Sequence, residues 1–195
     1  MRQLEELGFQ PIYFFFNSKL GTATGSGPVG LVRAFLFQLM NVDPELANHL
    51  SPIFTKSSSD EASSFDALWG IFRLWCSQHS EPIFAVIDAL DEALDGCEHP
   101  DNFLAAIVST LKSCEMVRMC VTCRLVPRIA KHFSPATGND SFVTQLTIGE
   151  SQVSSDIMAY VAARVEETPK LKFWMTQSNI DMLCARAEGM FLWYA

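Results

Sequence analysis

Short, almost continuous apolar runs alternate with amphipathic helical patterns along this chain. The runs, rich in β-branched or aromatic residues, are "PIYFFF" (11–16), "PIFAVID" (82–88), "VRMCVTC" (117–123) and the weaker "FVTQLTI" (142–148). Runs of this kind are typical of strands in a parallel sheet that is covered on both faces. We therefore predict four strands, each separated from the next by enough chain for a crossover connection.

Apolar residues at helical spacing predict the connecting helices. The predicted helices span 29–40, 64–78, 100–114, 155–167 and a last segment, 179–195, with a bend near Gly189. Pro28 suits the start of the first helix, and Ser64 is the expected N-cap of the second. Alternating strands and helices indicate an α/β fold with a parallel sheet. Strands stop after about residue 150, so we predict an α/β domain over 1–150 and the start of a helical region over 151–195.

Composition narrows the classes of partner. The 195 residues are 49% hydrophobic and 18% charged, with a net charge of −8, against about 25% charged in an average soluble domain. This composition fits either one domain with a hydrophobic core or a fragment of a larger protein. No cluster of five Lys or Arg is present, so we expect no nucleic-acid partner. The stretch "MRQLEELGF" lacks the apolar region of a secretory leader, so we expect none, and no apolar run approaches the ~20 residues that span a bilayer. We expect a soluble, cytoplasmic protein without membrane contact.

The acidic stretch "IFAVIDALDEALDGC" (83–97) carries the candidate chemistry. Asp88 ends a predicted strand, and the carboxyl ends of parallel strands form the edge where open α/β folds bind ligands. A carboxylate there can hold Mg²⁺ that bridges nucleotide phosphates. Asp91 and Glu92 are candidates for orienting or deprotonating a water molecule. The alternative is structural, since aspartate often follows a strand because it favours turns and helix caps.

Several short motifs occur in an order that resembles one protein family. They are "YFFFN", "FLFQLM", "DALDE", "VTCR", "SDIMAYV" and "GMFLWYA", spread over residues 11–195. The order is similar to the NACHT class of signal-transducing P-loop NTPases, in the version found in fungal incompatibility-type proteins and nephrocystin-3-like N-terminal domains. The resemblance implies a P-loop NTPase-like parallel sheet with flanking helices and a C-terminal helical segment.

The resemblance also implies a nucleotide-binding signalling switch that uses ATP or GTP with Mg²⁺. Asp88 matches the metal-binding aspartate of the family's Walker B motif, and Asp91 or Glu92 matches its water-positioning acid. Arg124 matches a residue that senses the γ-phosphate, and a guanidinium suits phosphate oxygens. A surface salt bridge is the alternative role for Arg124.

The phosphate-binding half of the family's site is missing from the sequence. The family has a G-x-x-x-x-G-K-[ST] loop, the Walker A motif, before its "FFF" strand, and no such loop occurs here. The glycine-rich "GTATGSGPVG" (21–30) lacks Gly-Lys-Ser/Thr, so a flexible loop is favoured over an anion cradle. We expect an incomplete copy that lacks the Walker A strand and loop, exposes apolar surface and is impaired in catalysis alone. Whether the chain hydrolyses nucleotide stays open.

Two other functions compete with the nucleotide switch. A non-catalytic module could assemble with itself or with full-length NACHT relatives through its sheet edge or helical faces. Phe191, Trp193 and Trp174 are candidate contacts, although core packing is the alternative for each. The third possibility is a metal or redox protein that uses the C-x-x-C pair Cys120 and Cys123, against structural cysteines as the expected role.

Overall fold

A three-stranded parallel sheet forms the centre of the first part of the chain. The computed structural model describes residues 4, 6–9, 11–17, 27–48, 64–95, 97–133 and 142–186. The strands are β1 (Ile12–Phe15), β2 (Ile83–Asp88) and β3 (Val117–Val121). Their order is β1-β2-β3 and both pairings are parallel, which places β2 between the other two. The predicted α/β class and three of the four predicted strands are therefore confirmed.

The first part has four described helices; the first three follow the predicted positions closely, and the last has no predicted counterpart. They are α1 (Pro28–Val42), α2 (Phe65–Gln78), α3 (Pro100–Ser113) and the short α4 (Pro127–Phe133). Proline occupies the first turn of α1 and α3, where its missing N–H costs no helical hydrogen bond. Ser64 caps α2 as predicted, because its Oγ accepts a hydrogen bond from the Ala67 N–H at 3.3 Å.

The main core lies on one face of the sheet. Side chains alternate along each strand, so Ile12, Ala85 and Ile87 share a face, and all three are buried. Helices α1, α2 and α3 contribute Phe35, Phe72 and Phe103 to the same hydrophobic cluster. One polar contact crosses this core, because the buried Trp69 Nε1–H donates to Thr110 Oγ1 at 3.0 Å. That bond leaves neither buried polar group unsatisfied.

The opposite face of β1 is exposed in the described part of the chain. Tyr13 is 41% exposed and Phe15 is 56% exposed, and their ring centroids lie 5.7 Å apart. The strand runs therefore do not show the two-sided burial that the sequence predicted. An aromatic run such as "YFFF" hides the alternation, because its side chains are apolar on both faces.

A side chain closes part of the outer edge of β1. Gln38 of α1 accepts a hydrogen bond from the Tyr13 N–H at 3.0 Å, and its Nε2 donates to the Tyr13 carbonyl at 2.8 Å. The same Nε2 also donates to the Ala34 carbonyl at 3.0 Å. The amide thus takes the place that a neighbouring strand would occupy at this residue. Natural sheets protect their edges in comparable ways, because free edge groups invite pairing with other chains.

The chain divides into two compact units, Met1–Val143 and Thr144–Ala195. The described part of the second unit contains α5 (Glu150–Glu167), α6 (Pro169–Trp174) and α7 (Gln177–Arg186). Ile157, Val161, Val165 and Ile180 form its small core. The predicted domain boundary at residue 150 stays a prediction, because compactness alone does not show independent folding.

One predicted strand is wrong, and some predictions lie outside the described residues. Residues 142–149 have neither helix nor strand, and Leu146 and Ile148 are 85% and 74% exposed. An apolar run becomes a strand only where another strand supplies hydrogen-bond partners, and the described sheet supplies none there. The bend near Gly189 and residues 21–26 of the glycine-rich stretch lie outside the described residues. No described helix has both the length and the apolar character needed to cross a bilayer.

Candidate functional site

Asp88 lies at the carboxyl end of the central strand, and Thr122 holds its side chain. The register pairs Ile87 with Val121, so the next residue of each chain segment leaves the sheet at the same level. Thr122 Oγ1–H donates to Asp88 Oδ1 at 2.5 Å, and Thr122 Oγ1 accepts a hydrogen bond from the Ala89 N–H at 3.0 Å. Because Thr122 contacts both the carboxylate and the backbone after it, the direction of the Asp88 side chain is fixed.

A strained turn follows Asp88. Ala89 has φ 55° and ψ 47°, the left-handed conformation that L side chains rarely adopt. The Leu90 N–H donates to the Thr122 carbonyl at 2.9 Å, and the Thr122 N–H donates to the Ile87 carbonyl at 2.9 Å. These bonds keep the turn tight against the end of β3. A 3₁₀ turn over Leu90–Leu94 then carries the two remaining acids of the motif, Asp91 and Glu92.

Asp91 and Arg124 form an ion pair across the carboxyl edge of the sheet. Arg124 donates twice to this carboxylate, from its backbone N–H to Oδ1 at 3.0 Å and from Nε to Oδ2 at 2.5 Å. The side chain of Asp91 is 5% exposed, whereas that of Arg124 is 77% exposed. Arg124 thus satisfies the buried carboxylate of Asp91, while most of the arginine side chain remains exposed to water.

The ion pair shifts the pKa of both groups. Burial raises the pKa of Asp91, but the two hydrogen bonds and the positive charge of Arg124 outweigh it, so the pKa lies below its ordinary value. The bond to Asp91 and the charges of Asp91, Glu92 and Asp95 raise the pKa of Arg124. Arg124 therefore stays protonated among carboxylates that the turn after β2 brings around it.

The structure gathers the four predicted site residues at one edge of the sheet. Asp88 and Asp91 follow β2 on the strand end and its 3₁₀ turn, and Arg124 follows β3. The metal role of Asp88, the water-positioning roles of Asp91 and Glu92, and the phosphate-sensing role of Arg124 all stay predictions. The geometry adds one condition, because Asp91 and Arg124 are already bonded to each other.

Thr122 is the residue that sequence reasoning missed. Its signal was available in the strand register, since a polar residue just past β3 falls beside the aspartate that ends β2. In the sequence, the "VTCR" motif points to Arg124 and to Cys123, and its threonine falls within the predicted strand 117–123. The hydroxyl instead acts as a donor to Asp88 and an acceptor for Ala89.

The cysteine pair gains no support as a metal or redox centre from its surroundings. Cys120 and Cys123 are both exposed and free. Partial burial and the negative charge of Asp91 raise the pKa of Cys123, which disfavours the thiolate that metal binding and redox exchange need. Among the described residues, no group of three or more His, Cys, Asp or Glu side chains is arranged to hold a metal ion.

The nephrocystin 3 N-terminal family model matches residues 1–124, close to two thirds of the 195 residues. The chain belongs to the nephrocystin 3 N-terminal family. The matched region contains the whole sheet and ends on Arg124, so it includes all four candidate site residues. No curated protein and no solved structure matches the chain.

We expect Ala89→Gly to stabilise the protein. Glycine relieves a left-handed strain of about 1–2 kcal/mol and loses about 0.5–1 kcal/mol to the greater entropy of the unfolded chain. Ala105→Gly, the same change at an exposed position inside α3, is the matched control and should destabilise the protein. The free energy of unfolding from urea titration measures both effects. Destabilisation by both variants to the same extent would show that the turn at residue 89 is unstrained.

We expect the Asp91–Arg124 pair to make stability depend on acidic pH. Because the folded-state pKa of Asp91 is lowered, its contribution is fully present above the unfolded pKa of about 3.9 and is lost as pH falls through the folded value. Urea titrations between neutral and strongly acidic pH measure this. Asp91→Asn should remove this part of the slope, and Glu81→Gln, which changes an exposed carboxylate outside the pair, should keep it.

Arg124→Met provides a second check on the same pair. It removes the guanidinium, while the backbone N–H of residue 124 remains as one donor to Asp91. Without the positive charge of Arg124, burial raises the pKa of Asp91. The loss of stability on acidification therefore occurs at higher pH. An unchanged acid transition in both Asp91→Asn and Arg124→Met would contradict the assignment.

Proposed function

We propose that this nephrocystin 3 N-terminal family chain is a nucleotide-binding signalling module of NACHT type, in which Asp88 contacts the Mg²⁺ ion of a bound ATP or GTP. The observation that supports it best is the fixed carboxylate of Asp88 at the carboxyl edge of a parallel sheet. Ligands of open α/β folds bind at this edge, outside the ends of the strands. The order of the family motifs around Asp88 supports the same proposal.

The donor set suits magnesium that is held mainly by phosphate. Mg²⁺ in nucleotide sites uses one or two protein carboxylates, usually with several water molecules and the phosphates of the substrate. Thr122 donates to Oδ1 of Asp88 and so orients the carboxylate, and Oδ2 would be the oxygen available to the ion or to its water. When bound, the ion would neutralise negative charge on the nucleotide phosphates.

The Asp91–Arg124 pair supplies an element with two states. A nucleotide phosphate that reaches this edge competes with Asp91 for the Arg124 guanidinium, which is largely exposed and therefore accessible. When Arg124 turns to phosphate, the buried Asp91 carboxylate loses its strongest partner, and the 3₁₀ turn that carries it is destabilised. Nucleotide state is thereby coupled to the conformation after β2, as switch proteins require.

A fluorescent-nucleotide titration with and without Mg²⁺ tests the nucleotide module. The 195 residues contain no Gly-Lys-Ser/Thr loop, so we expect weak, Mg²⁺-dependent binding and no turnover by this chain. Asp88→Asn should abolish the Mg²⁺-dependent part, whereas Glu98→Gln, at an exposed carboxylate after the same turn, should keep it. Binding that does not respond to Mg²⁺ or to Asp88→Asn would defeat the proposal, as would the absence of binding.

A second candidate function is a non-catalytic module that assembles with another chain of its family. The exposed rings of Tyr13 and Phe15 favour it, because parallel sheets normally have both faces covered. Burying such aromatic surface is the commonest source of affinity at protein interfaces. The partner in this reading is a second copy of the chain or a longer relative.

Sedimentation equilibrium tests the assembly module. We expect concentration-dependent association that Phe15→Ser weakens, because the exposed ring no longer contributes apolar surface. Phe37→Ser is the matched control, since Phe37 is 64% exposed but lies on α1. Asp88→Asn should leave association unchanged, which separates this function from nucleotide binding. Equal effects of the two phenylalanine variants would refute a role for the sheet face.

A further inference from the structure

An open groove with a volume of about 510 Å³ lies between α3 and α4. Its lining consists of Ala105, Val108, Ser109, Lys112, Ser113, Lys131 and His132. Ala105 and Val108 form an apolar part, and the other five side chains carry a proton donor. This groove is made by the helices after β2 and after β3, and it includes none of the four residues at the candidate nucleotide site.

Positive charge dominates the groove although the chain has a net charge of −8. Asp101 lies beside the groove residue His132, and its Oδ1 lies 3.0 Å from His132 Nε2 and 3.7 Å from Arg128 Nε. That carboxylate is therefore already engaged by His132 and by the positive charge of Arg128. The charges of Lys112 and Lys131 exceed the roughly −0.5 charge at the carboxyl end of α3, so the groove remains positive.

Among the described residues, the lysine on α3 has a weak contact that would compete with an anion. Lys112 Nζ lies 5.2 Å from the centre of the Phe142 ring, a cation–π contact worth about 0.5–1 kcal/mol at an exposed site. A phosphate or carboxylate oxygen gives a charge-assisted hydrogen bond, which is stronger. The ammonium group therefore favours an anion over the ring alone.

Arg73 adds a further positive charge next to the groove residue Ser113. Arg73 of α2 donates from Nη2 to Ser113 Oγ at 3.4 Å. Its Nε is buried and has no hydrogen-bond partner among the described residues. A buried guanidinium nitrogen without an acceptor is costly. Because Ser113 joins this guanidinium to the groove, an anion at the hydroxyl would be stabilised by the charge of Arg73 as well.

We infer that the groove between α3 and α4 binds a phosphate group, as free phosphate or as a small phosphate monoester. Two hydroxyls, Ser109 and Ser113, stand one helical turn apart on α3, beside the ammonium groups of Lys112 and Lys131. A carboxylate carries one negative charge, whereas a phosphate monoester offers three terminal oxygens and nearly two negative charges, which match the charges of the two ammonium groups. This site is separate from the nucleotide edge and adds to the proposed function.

Amide chemical-shift titration of the isotope-labelled full chain tests the inference. Inorganic phosphate is added at constant ionic strength, so that general screening does not change. We expect saturable shifts at Ser109, Ser113 and His132. The double variant Lys112→Met/Lys131→Met should weaken binding by about tenfold or more, the effect of losing one charge-assisted hydrogen bond. Thermal unfolding checks that the variant, which changes two exposed side chains, remains folded.

Controls separate this site from a general charge effect. Lys170→Met/Lys172→Met removes the same charge from α6 and should leave phosphate binding unchanged, as should Asp88→Asn at the sheet edge. O-phosphoserine tests whether a monoester binds as well as free phosphate, and succinate tests carboxylates. Equal weakening by both lysine pairs, shifts that rise linearly without saturation, or binding of succinate as tight as that of phosphate would overturn the inference.

Discussion

Parallel pairing of β2 between β1 and β3 is the constraint on which the rest of the structure depends. Parallel strands end at the same edge, so the segments after β2 and β3 leave the sheet side by side. Hydrogen bonds from Thr122 to Asp88 and to the turn at Ala89 then lock the two segments together. Every candidate site residue owes its position to this pairing, and the same pairing sets α3 and α4 beside each other.

The acidic motif is a structural element as well as a candidate chemical one. Asp91 is buried and holds Arg124 across the edge, so the turn after β2 and the segment after β3 form one unit. Removing the cation from a buried ion pair leaves an uncompensated buried charge, which is destabilising. A ligand that attracts Arg124 therefore acts on the backbone through Asp91. This is a physical route from binding to conformation that needs no large movement.

Average composition conceals how unevenly this chain distributes its surface. The net charge of −8 argues against a phosphate-backbone partner, yet cations gather between α3 and α4. The apolar share is high, and part of it, Tyr13 and Phe15, is exposed on the sheet. The side chains near a surface site, rather than the net charge of the whole chain, decide what that site recognises. The reason is that screening limits electrostatic interactions to about 8–10 Å at moderate salt.

The sequence by itself determined the three strands, the main helices, the Ser64 cap and the strand-end position of Asp88. Those features depend on local periodicity, prolines and capping residues, which act within a few positions. Only the tertiary structure decided that residues 142–149 form no strand, that Phe15 is exposed, and that Thr122 holds Asp88. Asp91 and Arg124 are 33 residues apart. Both this ion pair and the absence of a strand at 142–149 depend on which distant segment of the chain lies nearby. Local sequence patterns do not show that segment.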